Sequence, residues 1–94
     1  RIERVAPLLE RCTWSYTNLP KTTQVYYGGS WLIAGIDSPE SFAAVRHVAR
    51  MQAADMQLAF VLDRATASPG LVVALQGCGS PVIHGDLEVY RFRP

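Results

Sequence analysis

The segment 31–42 constrains the fold more than any other part of the chain. Its first half, Trp-Leu-Ile-Ala-Gly-Ile at 31–36, is apolar on both alternating faces, which is typical of a central strand covered on both sides. Asp37 or Ser38 can then cap a helix, and Pro39 suits the first helical turn. We therefore expect a buried strand that leads directly into a helix.

The predicted helix carries an apolar stripe and ends at Asp55. Four residues form the stripe: Phe42, Val45, Val48 and Ala49. Before it, the strands Gln24–Tyr27 and Trp31–Asp37 are rich in β-branched and aromatic residues. Gly28-Gly29-Ser30 between them leads into a strand, whereas a phosphate-binding loop leads into a helix. This glycine segment therefore predicts a hairpin turn.

The remaining segments have weaker patterns. From the N-terminus they are a helix Ile2–Cys12 with Pro7 in its first regular turn, a connection Thr13–Thr23, a strand Gln57–Leu62, a loop Ala65–Gly70, a strand Leu71–Leu75, and a last extended segment or hairpin made of Val82-Ile83 and Leu87–Phe92. Together they predict an α+β fold. We expect an α-β-β-α-β sandwich with two helices on one face of a small mixed or antiparallel sheet, plus extra C-terminal strands.

Size and composition limit the classes of protein. The 94 residues suffice for a single domain over 1–94, and 49 % hydrophobic with 18 % charged residues is typical of a globular chain. The net charge of +1 argues against binding nucleic acid or anionic membranes by bulk electrostatics. The apolar runs of the chain are too short for a transmembrane segment. Since the chain begins with Arg1, we expect a fragment of a longer protein or a processed chain.

The cysteines and histidines offer few chemical sites. Cys12 and Cys78 are candidates for a disulfide or for two free thiols. Cys78, His84 and Asp86 suggest a nucleophilic set, but they lie close together in sequence with no evident oxyanion hole, so we expect no catalytic residues. A metal site would need Cys12, His47, Cys78 and His84 to converge without the short ligand spacing of zinc sites. We therefore expect no metal and no cofactor.

Aromatic and basic residues indicate a surface for another molecule. Tyrosine and tryptophan are enriched in protein interfaces, and Tyr26, Tyr27 and Trp31 cluster in one predicted hairpin. Arg46 and Arg50 lie one turn apart on the predicted helix. These five residues are the predicted interaction surface, and the balanced charge makes a protein partner more plausible than a nucleic acid.

The segment Gln24–Leu62 resembles BON domains and the related ring-building modules of bacterial secretion systems. In those domains a strand, a glycine turn, a second strand like 31–36, a polar link like 37–40, a helix and a third strand follow one another. The resemblance implies a non-catalytic domain that packs beside copies of itself or another protein in an envelope assembly. It favours the cell envelope or periplasm over the cytoplasm.

We therefore expect a soluble, bacterial-type domain for protein–protein interaction or assembly. One alternative is a small stand-alone inhibitor or immunity-type protein that blocks a larger enzyme. Another is a small enzyme or ligand-binding module that uses Cys78, His84 and Asp86.

Overall fold

A computed structural model describes residues 2–12, 14–19, 26–27, 30–52 and 57–94. A 3-10 turn at Ile2–Val5 continues into the helix α1, and the chain then alternates strands with two further helices. The elements are α1 (Ala6–Leu9), β1 (Trp14–Thr17), β2 (Tyr26–Tyr27), β3 (Ser30–Ala34), α2 (Pro39–Gln52), β4 (Leu58–Asp63), α3 (Pro69–Gln76), β5 (Val82–His84) and β6 (Leu87–Phe92).

The six strands form one mixed sheet in the order β2-β3-β1-β4-β6-β5. β1 pairs in parallel with both β3 and β4, while the other neighbours are antiparallel. β1 therefore lies between two strands that follow it in sequence, and the α2 connection from β3 to β4 passes over it. The predicted α+β class with a mixed sheet is confirmed.

Helices cover both faces of the sheet. On one face, called here the two-helix face, α2 and α3 pack on a core that includes Tyr16, Phe60 and Tyr90. On the opposite face, called here the α1 face, the N-terminal helical turns pack on a second core that includes Leu32 and Val61. The prediction placed the N-terminal helix beside α2 on one face, but that helix lies on the other face, and α3 takes the place beside α2.

The predicted connection Thr13–Thr23 is wrong over Trp14–Thr17, which form the central strand β1. The pattern Trp-Ser-Tyr-Thr looks polar at every second position, yet Ser15 and Thr17 are fully buried. Thr17 retains a hydrogen bond because its hydroxyl accepts from the amide of Leu19 at 3.1 Å. The alternation of aromatic and hydroxyl residues spans only four positions among the turn formers of the segment 13–23, so it was too short to stand out as a strand.

The predicted strand Leu71–Leu75 is also wrong, because these residues belong to α3. Ser68 caps this helix by accepting a hydrogen bond from the amide of Leu71 at 3.3 Å. Leu71 and Leu75 are completely buried, whereas Val73 between them is 68 % exposed. A strand would place all three on one face, so the burial follows the helical repeat.

Other local predictions agree with the structure. Pro7 lies in the first turn of α1, and the hydroxyl of Ser38 accepts from the amide of Ser41 at 3.1 Å to cap α2. β2 and β3 pair antiparallel, as the predicted hairpin requires, and β5 and β6 form the C-terminal hairpin. Gly28, Gly29 and Asp55 lie outside the described residues. Within the described part of the chain, no helix is both long and apolar enough to cross a membrane.

Candidate functional site

An apolar groove of about 240 Å³ lies between α2 and the strands β1 and β3 on the two-helix face. Its floor comes from the strands and one wall from the helix. The residues that line it are Trp14, Tyr16, Ile33, Ala44, Val45, Val48 and Ala49. Every one of these side chains is apolar or aromatic, so the groove favours an apolar group over a polar ligand.

The sheet register determines the groove floor. Tyr16 of β1 and Ile33 of β3 are paired neighbours in the parallel ladder, and directly paired residues point to the same side of a sheet. Trp14 lies two residues before Tyr16 and thus on that same side. Tyr16 is buried beneath α2, while Trp14 and Ile33 are half-buried and form the open side of the floor.

The wall formed by α2 ends in an exposed apolar edge. Of the predicted apolar stripe, Phe42 and Ala49 are buried, but Val48 is 48 % exposed. Met51, one turn further along, is 74 % exposed, and Ala44 is exposed one turn before Val48. We call Ala44, Val48 and Met51 the α2 edge. The predicted stripe therefore divides into a part that faces the core and a part that borders the groove.

The predicted aromatic residues of the interaction surface lie on the strands next to this groove. Tyr26 belongs to the outermost strand β2 and pairs with Trp31 of β3, while Tyr27 pairs with Ser30. Their side chains lie outside the described part of the structure. The groove itself contains two other aromatic residues, Trp14 and Tyr16, which the predicted surface did not include.

The two predicted basic residues contact the C-terminal segment of the chain. The guanidinium of Arg46 lies over the ring of Phe92, 5.5 Å from its centroid. The Nε of Arg50 donates a hydrogen bond to the carbonyl oxygen of Pro94. Both arginines therefore hold the end of β6 against α2, on a side of the helix that does not line the groove.

Cys78, His84 and Asp86 do not form a catalytic cluster. The thiol of Cys78 lies 3.6 Å from the carbonyl oxygen of Ala74, at the end of α3 on the two-helix face. His84 pairs with Leu87, whose side chain belongs to the core on the α1 face. The imidazole therefore lies on the α1 face too, on the opposite side of the sheet from Cys78. Asp86 occupies the turn between β5 and β6.

The two cysteines also lie on opposite faces. Cys12 is buried in the core on the α1 face, whereas Cys78 packs against the core on the two-helix face. Both are thiols in the structure, so the candidate disulfide is not formed. Burial raises the pKa of the Cys12 thiol, and nearby Arg91 partly opposes that rise. Across the described residues, no group of three or more His, Cys, Asp or Glu side chains could hold a metal ion.

Two buried hydroxyls, on Ser15 and Tyr90, have no hydrogen-bond partner within the described structure. Ser15 sits on β1 directly between Leu32 and Ala59, in the core on the α1 face. Burial raises the pKa of Tyr90, and the nearby carboxylate of Glu88 raises it further. Glu88 itself forms an ion pair with Arg64 at 3.2 Å. Neither hydroxyl faces the groove, so neither adds a polar group to it.

Comparisons with known proteins give no family assignment. No family model, no curated protein and no solved structure matches this chain. The resemblance of Gln24–Leu62 to BON domains and ring-building modules therefore stays a prediction. The candidate site rests on the geometry of the groove and the α2 edge.

Proposed function

We propose that this domain works by non-catalytic protein–protein interaction and that its contact surface is centred on the groove and the α2 edge. The observation that carries the proposal is an entirely apolar groove bordered by exposed aliphatic side chains. Val48 lines the groove and is 48 % exposed, and Met51, one helical turn after Val48, is 74 % exposed. None of the lining residues is charged. Exposed apolar surface of this kind is stabilised when another molecule covers it.

The shape and chemistry of the groove favour a protein side chain over a metabolite. Small-molecule pockets typically measure about 300–1,000 Å³ and contain a few polar groups that orient the ligand. This groove is smaller, about 240 Å³, and its lining side chains are apolar or aromatic. A single large apolar side chain, inserted from a protein surface, matches both properties. Anchors of this kind contribute much of the binding free energy in protein interfaces.

The biological setting is part of the proposal. The resemblance noted above implies assembly in a bacterial envelope or secretion complex, with copies of the domain or another protein as the partner. An apolar contact surface on a small α+β domain is compatible with such a role. The same surface would serve an inhibitor, whose partner would be an enzyme. The two settings differ in the identity of the molecule that covers the groove.

Site-specific photo-crosslinking in the natural host tests this proposal. A photo-crosslinking amino acid at position 51 lies one helical turn after Val48 of the groove wall. One at position 73 is a matched control, since Val73 is an aliphatic residue on α3 that is 68 % exposed, against 74 % for Met51. We expect a discrete protein adduct from position 51 that disappears when Val48→Glu is added, and none from position 73. Equal adducts from both positions, or none from position 51, would contradict the proposal.

A further inference from the structure

We propose that Cys78 is a site of reversible oxidation, at which a peroxide converts the thiol to a sulfenic acid that accepts a hydrogen bond from the hydroxyl of Tyr90. The site lies on the two-helix face, where the loop between α3 and β5 meets β6. The groove lies at the other end of the sheet, between α2 and the strands β1 and β3. The site is therefore independent of the proposed contact surface, and four features of the structure support it.

The first feature is a buried hydroxyl that lacks an acceptor. Tyr90 is 1 % exposed, and its hydroxyl has no hydrogen-bond partner among the described residues. Such a group is costly in an apolar core, so an acceptor placed beside it would stabilise the structure. Burial raises the pKa of Tyr90, the carboxylate of Glu88 raises it further, and Arg64 partly opposes the rise. The hydroxyl therefore keeps its proton at neutral pH and is available as a donor.

The second feature is the position of Tyr90 beside the loop that carries Cys78. On the outer side of β6, Val82 pairs with Val89. Extending this register by one residue places Pro81 next to Tyr90. Cys78 comes three residues before Pro81 and packs against the core that contains Tyr90. A negative charge on Cys78 also contributes to the raised pKa of Tyr90, so the sulfur and the hydroxyl lie within electrostatic range of each other.

The third feature is that a small oxidant can reach Cys78. The residue is half-buried just after α3, where its thiol lies 3.6 Å from the carbonyl oxygen of Ala74. Next to it, Gly79 has a φ of +136° and carries no side chain. Apart from the flanking residues, no described atom lies within 4 Å of the point that a Cβ would occupy there. A peroxide can therefore approach the sulfur from the loop side.

The fourth feature is that the native chain offers the sulfenic acid no group with which to react further. A sulfenic acid condenses with a thiol to a disulfide, or with a backbone nitrogen to a sulfenamide. The only other cysteine of the sequence, Cys12, lies in the core on the opposite face of the sheet. The amide of Gly79 donates to the carbonyl oxygen of Gln76 at 3.4 Å and is thus engaged at the end of α3. The oxidised Cys78 should therefore persist until an external thiol reduces it.

The proposed reaction uses hydrogen peroxide as the oxidant. The thiolate sulfur of Cys78 attacks one peroxide oxygen, so that a sulfur–oxygen bond forms and the oxygen–oxygen bond breaks. The other oxygen leaves as hydroxide and combines with the proton that the thiol released. The products are one sulfenic acid and one water. The sulfur loses two electrons and the peroxide gains them. Tyr90 then donates its hydrogen bond to the oxygen that the sulfur has acquired.

Trapping of the sulfenic acid with dimedone, read by intact mass, tests the proposal. The native chain is treated with hydrogen peroxide, catalase removes the excess, and dimedone is added after increasing delays. We expect one adduct, which Cys78→Ser abolishes. Tyr90→Phe should shorten the lifetime of the sulfenic acid by about fivefold, the ratio that a single hydrogen bond supplies. The same variant should leave the alkylation rate of the reduced Cys78 thiol unchanged, which a merely structural role of Tyr90 would not.

Two controls accompany this comparison. Tyr16→Phe removes the hydroxyl of another buried tyrosine, which lines the groove, and should leave the lifetime unchanged. Val73→Cys in the Cys78→Ser background places a thiol at a position of α3 that is 68 % exposed. Its sulfenic acid should decay at least as fast as that of Tyr90→Phe, because it lacks the buried donor.

The proposal is overturned if Cys78 yields no dimedone adduct, or if the sulfenic acid lives equally long with tyrosine and with phenylalanine at position 90. Circular dichroism verifies that each variant folds. If Tyr90→Phe does not fold, the comparison with Val73→Cys decides, and equal lifetimes at positions 73 and 78 would overturn the proposal.

Discussion

The side-chain amide of Asn18 pairs with the backbone of Asp63 through two hydrogen bonds, as the backbone of a neighbouring strand would. Its Oδ1 accepts a hydrogen bond from the Asp63 amide at 2.6 Å, and its Nδ2 donates to the Asp63 carbonyl at 3.0 Å. The same Nδ2 lies 3.1 Å from the hydroxyl of Thr66. Asn18 follows the last residue of β1, so it extends the β1–β4 pairing and ties this end of the sheet to the loop that leads into α3.

Asn18→Ala should therefore lower the free energy of unfolding by about 1–3 kcal/mol, because it removes both bonds to the buried backbone of Asp63, whose carbonyl keeps the bond from the Thr66 amide at 3.2 Å. Urea unfolding measures the change. Thr66→Val is the matched control, since it removes one bond to the same amide and keeps the pair with Asp63. A loss from Asn18→Ala no larger than that from Thr66→Val would show that the backbone pairing contributes little.

The sequence predicts the elements whose signals are local. The strand predicted from Trp31 and the capped helix after it are both present, although the strand ends at Ala34 and not at Asp37. The helix start was predictable because Ser38 and Pro39 determine it through their own hydrogen bonds and geometry. β1 was missed because its stabilisation is tertiary. Its position between β3 and β4 buries Ser15 and Thr17, two residues whose composition suggests a loop.

Ser15→Ala should raise the free energy of unfolding by about 1 kcal/mol, since a buried hydroxyl without a partner is costly in an apolar core. Alanine also fits the space, because it removes one atom between Leu32 and Ala59. Thermal and urea unfolding measure the gain. Thr17→Ala is the opposing control and should be destabilising, because the Thr17 hydroxyl accepts from the Leu19 amide. A loss of stability for Ser15→Ala would reveal a bond to that hydroxyl.

The helix α3 offers a direct test against the strand that the sequence predicted. Ser68→Ala should lower the free energy of unfolding by about 0.5–2 kcal/mol, because Ser68 caps α3 through the Leu71 amide and also donates to the Asp37 carbonyl at 3.1 Å. The exposed Val73→Ala should raise it by a few tenths of a kcal/mol, roughly, since alanine is the better helix former. A strand at these positions would give the opposite sign for Val73→Ala.

The candidate site was only partly predictable. Val48 belongs to the apolar stripe that the sequence shows. No local pattern indicates, however, that α2 covers β1 and that Val48 lines a groove there. Trp14 and Ile33 come from strands that are distant in sequence and meet only through the parallel ladder. The groove thus depends on strand order, which periodicity within a single element does not encode.

Alkaline pH should destabilise the fold. Burial raises the pKa of Cys12 and of Tyr16, so the native state keeps both protons at pH values where the unfolded chain has lost them. Their contribution is complete below the unfolded pKa values, about 8.5 for cysteine and about 10 for tyrosine, and falls as pH rises further. Unfolding free energies measured from neutral to strongly alkaline pH should therefore decline.

Two substitutions identify the residues that cause this decline in stability. Cys12→Ala should flatten the part of the curve that begins at about pH 8.5. Tyr16→Phe should flatten only part of the decline above about pH 10, because the pKa of Tyr90 is raised as well and contributes to the same range. Both variants change the absolute stability, because both side chains are buried, so the slope against pH is the quantity to compare. A slope that neither substitution changes would assign the decline to other groups.

The two thiols should differ widely in reactivity. Cys78 is half-buried at the end of α3, whereas Cys12 is 2 % exposed with a raised pKa, and the thiolate is the reactive form. Without reductant, an alkylating reagent should label Cys78 in the native protein. Cys12 should react only when the chain opens, more slowly by on the order of 10³-fold or more if that requires global unfolding.

Intact-mass measurement over time follows this labelling. One label is expected first and a second after denaturation, while Cys78→Ser should show none in the native state and one after unfolding. The two thiols lie on opposite faces of the sheet, so a disulfide between them can form only if the sheet opens. A native protein that takes up no label even after unfolding would contradict the two reduced cysteines of the structure and restore the disulfide between Cys12 and Cys78.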